Sequence, residues 1–260
     1  MTIAPTRDDL ARLFPRPRQA GAKRAIYDAY VGVLTSADGH AELAAHGIDR
    51  PARWVPFAAT MGVETGGLII VWESGAYTTD GLLRVFGAGR HSAAITPAEA
   101  RRMAGNGPAI FERVYGAGNP RKARELGNTQ PGDGWRFRGL GLSQITGREA
   151  HERTARKLGC PVEDLAQPIN LLRAALIEWD EKKCNVLCDR GNVIGVRQVI
   201  NGGSLSVPVS RLNGVAEYRA YLAAAARVWD GSSGDDTAPD AAEMRLGDTG
   251  PEVSRVQKLL

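Results

Sequence analysis

The stretch VETGGLIIVWESG, residues 63–75, carries two glutamates, Glu64 and Glu73, at the two ends of an apolar run. Each glutamate is followed by a small hydroxyl residue and a glycine. We expect the run between them, residues 68–72, to pack against the folded body and to keep the surroundings of Glu64 dry. A dry setting favours a protonated carboxyl group, whereas a polar setting leaves a second one ionised. The stretch therefore predicts two carboxyl groups with different chemical tasks.

The residues before Glu64 predict a helix that ends at this glutamate. Pro51 suits its first turn. Apolar residues that share one face follow at helical spacing: Trp54, Phe57 and Met61. Thr96 before Pro97, with Glu99 three residues after the threonine, predicts a second, capped helix start.

Helical periodicity also extends over much of the remaining chain. It covers residues 7–35, a segment from about 148, and the segments 170–184 and 215–229. The segment 116–147 is rich in Gly, Pro, Asn and Asp and cannot be one regular element. We therefore expect a mainly α fold with at most a small β-hairpin, within residues 135–145.

The composition predicts three parts. Residues 1–229 form the main body, with a net charge of +8, and residues 230–260 carry −4. Residues 230–242 are small, polar and acidic, which predicts a flexible linker. Residues 243–260 regain an apolar period but are too few to bury a core of their own.

The charge and hydropathy of the chain limit the classes of partner that we expect. A basic body suits an acidic polymer such as the bacterial wall, but there is no Lys/Arg tract, so a nucleic-acid partner is not expected. We see no secretory signal and no apolar run of about 18 residues, so we expect cytoplasmic synthesis and no stable membrane insertion. Three cysteines without a nearby histidine predict no zinc site, and we expect neither a metal nor a cofactor.

Polar side chains stand in two glycine-rich segments. Gln144 and Thr146 alternate with Ile145, so in an extended segment they would face one side. Asn201 lies in INGG, residues 200–203. Such residues suit a groove that binds a sugar chain, and they equally suit ordinary turns.

Together these motifs resemble glycoside hydrolase family 19, the plant-type chitinases and the wall-degrading lysins of bacteriophages. The resemblance covers residues 25–229. It is carried by these segments, in order: FAATMGVETGG, ESGAYTTDGLLRVF, VYGAGNPRKARELGNTQPGDGWRFRGLGLSQITGR, and VINGG with a downstream arginine, Arg211.

The resemblance implies a lysozyme-like domain of two lobes with a substrate cleft, and an inverting mechanism without metal. It makes Glu64 the general acid and Glu73 the general base. Thr146 falls where a hydroxyl helps to hold the attacking water. Substrate-contacting positions fall on four further residues: Tyr77, Gln144, Asn201 and Arg211.

The chain departs from the family pattern at four positions. Val63 stands in place of a histidine, Leu140 of an arginine, Ala150 of an asparagine and His151 of a tyrosine. The carboxyl pair is intact.

The tail MRLGDTGPEVSRVQKLL resembles the first helix of a peptidoglycan-binding module and shifts the expected substrate from chitin towards the bacterial wall. We therefore expect a monomeric phage lysin that hydrolyses β-1,4 bonds between amino sugars of peptidoglycan after its release to the wall. The alternatives are a chitinase with the same machinery, a wall-binding protein without turnover, and a lytic transglycosylase, which needs one acid and no base.

Overall fold

The computed structural model describes residues 3–229. Both predicted C-terminal parts, residues 230–242 and 243–260, lie outside the described residues. Within the described range the chain is mainly helical, which confirms the predicted fold class. Isolated β-bridges take the place of a β-sheet there.

The α-helices of residues 3–229 are Arg7–Leu13 (α1), Ala22–Leu34 (α2), Ala37–Ala45 (α3), Pro51–Thr65 (α4), Thr79–Phe86 (α5), Pro97–Met103 (α6), Gly107–Tyr115 (α7), Pro120–Leu126 (α8), Asp133–Arg136 (α9), Arg148–Leu158 (α10), Pro168–Glu181 (α11), Cys184–Asp189 (α12), Val193–Gly202 (α13) and Val215–Trp229 (α14). Short 3-10 helices are formed by Val162–Ala166 and Val209–Arg211. No helix of the described residues is both long and apolar enough to cross a membrane.

Local sequence signals set several helix limits. The predicted helix into Glu64 is confirmed as α4, which has Pro51 at its first turn. It ends because Gly66 adopts the left-handed conformation, with φ 59°, that favours glycine. Thr96 caps α6 together with Glu99 in the predicted reciprocal pair of hydrogen bonds.

The expectation that residues 7–35 are helical throughout was wrong. Helix α1 ends at Leu13, and α2 begins only at Ala22. Pro15 and Pro17 stand in the gap. A proline lacks the N–H group that an inner helix position needs, and it restricts the residue before it to extended conformations.

The described residues divide into two compact units. The first unit comprises residues 3–70 and 168–229, with α4 and α14 packed against each other. Large aromatic side chains fill its core: the rings of Phe57 and Trp179 meet edge to face at 5.1 Å, and those of Trp54 and Trp229 at 5.4 Å. Because α4 is buried along most of its length, its last residues, Glu64 included, are buried as well.

The second unit comprises residues 71–167. Its core is formed by side chains of α5, α6 and α7 and of the segments that lead into α5 and α6. Helix α7 packs against α9 and α8, and α10 packs against α8.

The hairpin expected in residues 135–145 is reduced to a turn. Trp135 and Arg136 belong to the short helix α9. Leu140 and Ile145 then form a single antiparallel bridge, closed by hydrogen bonds of 3.0 and 2.9 Å between their backbones.

Candidate functional site

Glu64 lies one residue before the end of α4, in the first unit, and only 4% of its surface is exposed. Its Oε1 accepts a hydrogen bond from Nη1 of Arg197, a fully buried residue of α13. A buried charge is tolerated where it is paired and hydrogen-bonded. The two residues are 133 positions apart in the chain, so tertiary packing alone creates this ion pair.

The Arg197 guanidinium has a second partner on the backbone. Its Nε and Nη2 donate to the carbonyl oxygen of Asn213 at 3.1 and 2.8 Å. The backbone N–H of Asn213 in turn donates to Oδ1 of Asn201 at 2.9 Å. The Asn201 side chain is thus partly engaged in holding the loop that anchors Arg197.

Glu73 lies in the second unit, on a segment that pairs with the glycine-rich stretch. Trp72 and Leu140 form an antiparallel bridge. On one side of it the backbone N–H of Gly141 donates to the Val71 carbonyl at 2.7 Å, and on the other the backbone N–H of Glu73 donates to the Gly139 carbonyl at 2.8 Å. This pairing fixes the backbone of Glu73 beside the turn that carries Gln144 and Thr146.

The Glu73 carboxyl group is almost completely buried, with 3% of the residue exposed. The Tyr115 hydroxyl donates to its Oε1 at 3.1 Å, and the Gly139 N–H group approaches its Oε2 at 3.4 Å. Burial raises the pKa of Glu73 to about 8, although these two hydrogen bonds and the charge of Arg138 oppose the rise. The second carboxyl group was expected in a polar setting that leaves it ionised, and this expectation was wrong: Glu73 is as deeply buried as Glu64, and burial keeps it protonated up to a pH of about 8.

Tyr77 packs in the core of the second unit, edge to face with Phe86 at 5.2 Å. Within the described residues its buried hydroxyl has no hydrogen-bond partner. Burial raises the pKa of Tyr77 well above its ordinary value, and the charge of Glu73 adds to the rise. The predicted substrate-contacting tyrosine therefore lies within electrostatic reach of Glu73, with an unsatisfied hydroxyl.

Gln144 and Thr146 do not lie in an extended segment, and this expectation was wrong. Gln144 adopts φ 48°, because the bridge between Leu140 and Ile145 closes a tight turn around it. Both side chains are buried and bond to the local backbone: Gln144 donates to the Gly141 carbonyl and the Thr146 hydroxyl to the Gln144 carbonyl, each at 2.9 Å. Their lone pairs and the second amide hydrogen of Gln144 are still available for other partners.

Arg211 is exposed, in the short 3-10 helix Val209–Arg211. Leu140, which stands in place of the family's arginine, is fully buried, and its backbone forms the bridges to Trp72 and Ile145. The buried guanidinium that contacts a candidate carboxylate is therefore that of Arg197, which sequence reasoning did not identify.

His151 stands where the family has a tyrosine. Its ring stacks on Trp72 at 6.3 Å, and its Nδ1 lies 2.9 Å from the Gly147 carbonyl oxygen. Burial lowers the pKa of His151 to about 4, so the ring is neutral at physiological pH. The neutral ring of His151 therefore packs against Trp72, the residue before Glu73, without adding a charge.

Sequence reasoning also missed Tyr115 and Arg138. Arg138 donates from Nε to the Glu73 carbonyl oxygen at 3.2 Å, and its guanidinium lies over the rings of Trp135 and Trp72 at 3.7 and 4.7 Å. Nothing in the local pattern distinguishes these two residues. Arg197 did leave a signal, since it is a single charge within the otherwise uncharged helix VIGVRQVING.

Residues 3–229 contain no cluster of three or more histidine, cysteine or acidic side chains that could hold a metal ion. What the described residues offer instead is two buried carboxyl groups. Glu64 contacts a guanidinium, and Glu73 contacts a phenol and a backbone N–H group. Carboxyl groups held in this way can transfer protons to and from a bound substrate.

Comparison with known proteins gives one informative result. The chain matches no family model. It is 33% identical over 175 residues to a protein of Haemophilus influenzae named "Glycosyl hydrolase family 19 domain-containing protein", and the match covers 64% of this chain and 76% of the relative. Identity at this level over most of the relative establishes common descent. The chain therefore belongs to glycoside hydrolase family 19 and is a glycoside hydrolase.

Proposed function

We propose that this glycoside hydrolase cleaves β-1,4 bonds between amino sugars of bacterial peptidoglycan, as a monomeric phage lysin that acts on the wall after its release. The observation that carries the catalytic part is the pair of buried carboxyl groups at Glu64 and Glu73, each with a directed hydrogen-bond donor. Hydrolysis with inversion needs two such groups, one to protonate the leaving oxygen and one to activate water.

In this proposal Glu64 is the general acid and Glu73 the general base. Glu73 has to lose its proton before it can activate a water molecule. The donors from Tyr115 and Gly139 and the charge of Arg138 favour its carboxylate form, whereas burial opposes it. We infer that the base is ionised over the upper part of the working pH range, and that the turn holding Thr146 and Gln144 places polar groups beside it.

The choice of peptidoglycan over chitin is supported by sequence features. The net charge of +8 on residues 1–229 suits a wall rich in carboxylates. The pattern of residues 243–260 resembles the start of a wall-binding module. A chitinase would use the same carboxyl pair, so substrate and product assays decide between the two.

The experiment compares wild type with Glu64→Gln and Glu73→Gln on purified peptidoglycan and on chitin oligomers. We expect peptidoglycan to be the better substrate and both variants to lose most of the activity while they stay folded. Glu163→Gln is the matched control, because Glu163 is an exposed residue paired with Arg136, and it should keep wild-type activity.

Product analysis separates the remaining alternatives. Inversion yields a new reducing end whose anomeric configuration, read by NMR at early times, is opposite to that of the cleaved bond. A 1,6-anhydro sugar end, together with an active Glu73→Gln variant, would identify a lytic transglycosylase. Binding to the wall without any new ends would leave a wall-binding protein.

A further inference from the structure

Arg197 is the largest charged side chain that is completely buried in residues 3–229. It lies on α13 between Val196 and Val199, both buried. Removing a guanidinium from water costs several kcal/mol unless good hydrogen bonds replace the lost hydration. The hydrogen bonds that Arg197 makes must therefore compensate for its burial.

The partners of Arg197 hold it in one orientation. Nη1 faces the Glu64 carboxylate, whereas Nε and Nη2 both face the carbonyl oxygen of Asn213. Every nitrogen of the guanidinium is thus engaged, on one side by a candidate catalytic group and on the other by fixed backbone. A planar group bound at both edges cannot rotate without breaking hydrogen bonds.

The loop of Asn213, whose carbonyl oxygen binds Arg197, lies very close to this residue. Asn213 is fixed through its N–H group by Asn201. The next residue, Gly214, has φ 65°, and a Cβ atom there would lie 2.8 Å from Cγ1 of Val63 and 3.2 Å from Nη2 of Arg197. Any other residue here would strain the backbone and displace Val63 or Arg197, so glycine favours the close approach of the loop to Arg197.

We propose that Arg197 is the positioning residue of Glu64: held by Asn213 and Asn201, it fixes the orientation of the Glu64 carboxyl group and stabilises the carboxylate left after proton donation. This inference rests on the proposed function, in which Glu64 is the general acid. It assigns that task to a residue that does not touch substrate, since Arg197 is fully buried, and not to the exposed Arg211.

Two other ionisable groups lie beside this network. The charge of Arg197 acts on Tyr218, and Glu217 lies near Gly214.

The test measures kcat, KM, the pH profile and the melting temperature for Arg197→Lys and Arg197→Met. Lysine keeps the charge but cannot serve both Glu64 and Asn213, so we expect kcat to fall about ten- to a hundredfold with KM little changed. Methionine removes both the charge and the hydrogen bond that Glu64 receives, so kcat should fall further than with lysine and the shape of the pH profile should change. Asn201→Ala, which leaves the ion pair in place but loosens its anchor, should lower kcat less; it provides the second variant if Arg197→Met does not fold.

Arg53→Lys is the matched control in the same unit. Arg53 also bonds a carboxylate, that of Asp189, and a backbone carbonyl, that of Gly47. We expect this variant to lower the melting temperature and to leave kcat and the pH profile unchanged.

Two results separate the possible failures. If Glu64→Gln is inactive but the Arg197 variants keep wild-type kcat and pH profile, or change only their melting temperature, the positioning role is overturned and the proposed function stands. If Glu64→Gln keeps full activity, the assignment of the acid itself falls.

Discussion

The hydroxyl of Tyr115 donates a hydrogen bond of 3.1 Å to Oε1 of Glu73, a residue 42 positions earlier in the chain. Both residues are buried, so the bond forms in a medium in which an ionised carboxyl group is otherwise disfavoured. The last residue of α7 thus influences the protonation of a candidate catalytic group on a different segment.

Tyr115→Phe removes this donor while keeping the ring in its packed position. The pKa of Glu73 should rise further, because one of the interactions that lower it is lost. A hydrogen bond to a charged group contributes about 1.5–3 kcal/mol, which corresponds to a shift of about one to two pH units in the acidic limb of the rate profile. Tyr27→Phe is the control, because Tyr27 is also buried and donates to the Phe14 carbonyl; an identical profile in both variants would contradict the prediction.

The acidic limb of the wild-type pH–rate profile should lie at an unusually high pH. The pKa of Glu73 is raised to about 8, so a general base at this position is mostly protonated at pH 6 and mostly ionised at pH 9. We expect kcat/KM to increase with pH through about 8, measured on soluble wall fragments at constant ionic strength. A decrease in kcat/KM through the same range would show that Glu73 acts in its protonated form, as the proton donor, and would reverse the two roles.

The same group should make stability depend on pH. The pKa of Glu73 is higher in the fold than its ordinary value of 4.5, so the stability it contributes is present below pH 4.5 and is lost as the pH rises through about 8. Glu73→Gln mimics the protonated form, so it should be more stable than wild type at pH 9 and nearly as stable as wild type at pH 5. A tenfold change in proton affinity is worth about 1.4 kcal/mol, so the two free energies of unfolding at pH 9, measured by denaturant titration, should differ by about a few kcal/mol. Equal stability at both pH values would mean that Glu73 is more solvated than its burial indicates.

Thr146→Val tests the predicted water-holding hydroxyl. The Thr146 hydroxyl already donates to the Gln144 carbonyl, which leaves its lone pairs free to accept from a water molecule. Loss of one such hydrogen bond, about 1–1.5 kcal/mol, should lower kcat about tenfold, and Thr146→Ser should restore most of it. If Thr146→Val lowers only the melting temperature, the hydroxyl serves the turn alone.

Deletion of all residues after Trp229 tests the predicted linker and partial module. Residues 230–242 are small, polar and acidic, and the pattern of residues 243–260 resembles the start of a wall-binding module. We expect the shortened chain to keep its melting temperature and its activity on soluble wall fragments. A large loss of either would show that the deleted segment stabilises the catalytic domain, and salt titration would then reveal whether its net charge of −4 is responsible.

Much of the fold followed from short-range signals. Pro51 begins α4, because proline restricts its own backbone to a conformation that suits the first turn of a helix. The glycines after Glu64 end α4, because glycine can adopt the left-handed conformation. The Thr96 cap of α6 needs only Glu99, three residues further on. Such signals act within one helical turn, so they can be read without knowledge of the partners of a segment.

The conformation around Gln144 and Thr146 could not be read in this way. Their alternation with Ile145 suits a strand, but Leu140 pairs with both Ile145 and Trp72, and this pairing bends the segment into a turn. The partner segment that holds it lies more than 60 residues away. Alternation of polar and apolar residues predicts a strand only where a neighbouring strand is available, and the tertiary structure provides a single bridge.

The sequence by itself determined the helical class, the family and the two candidate glutamates, since these depend on periodicity, caps and motif order. Tertiary structure alone decided which groups act on them. It placed Arg197 on Glu64 across 133 positions and Tyr115 on Glu73 across 42, and it left Arg211 exposed. The physical reason is that protonation depends on burial and on charges and donors within a few ångströms, and residues this far apart in the chain come so close only through packing.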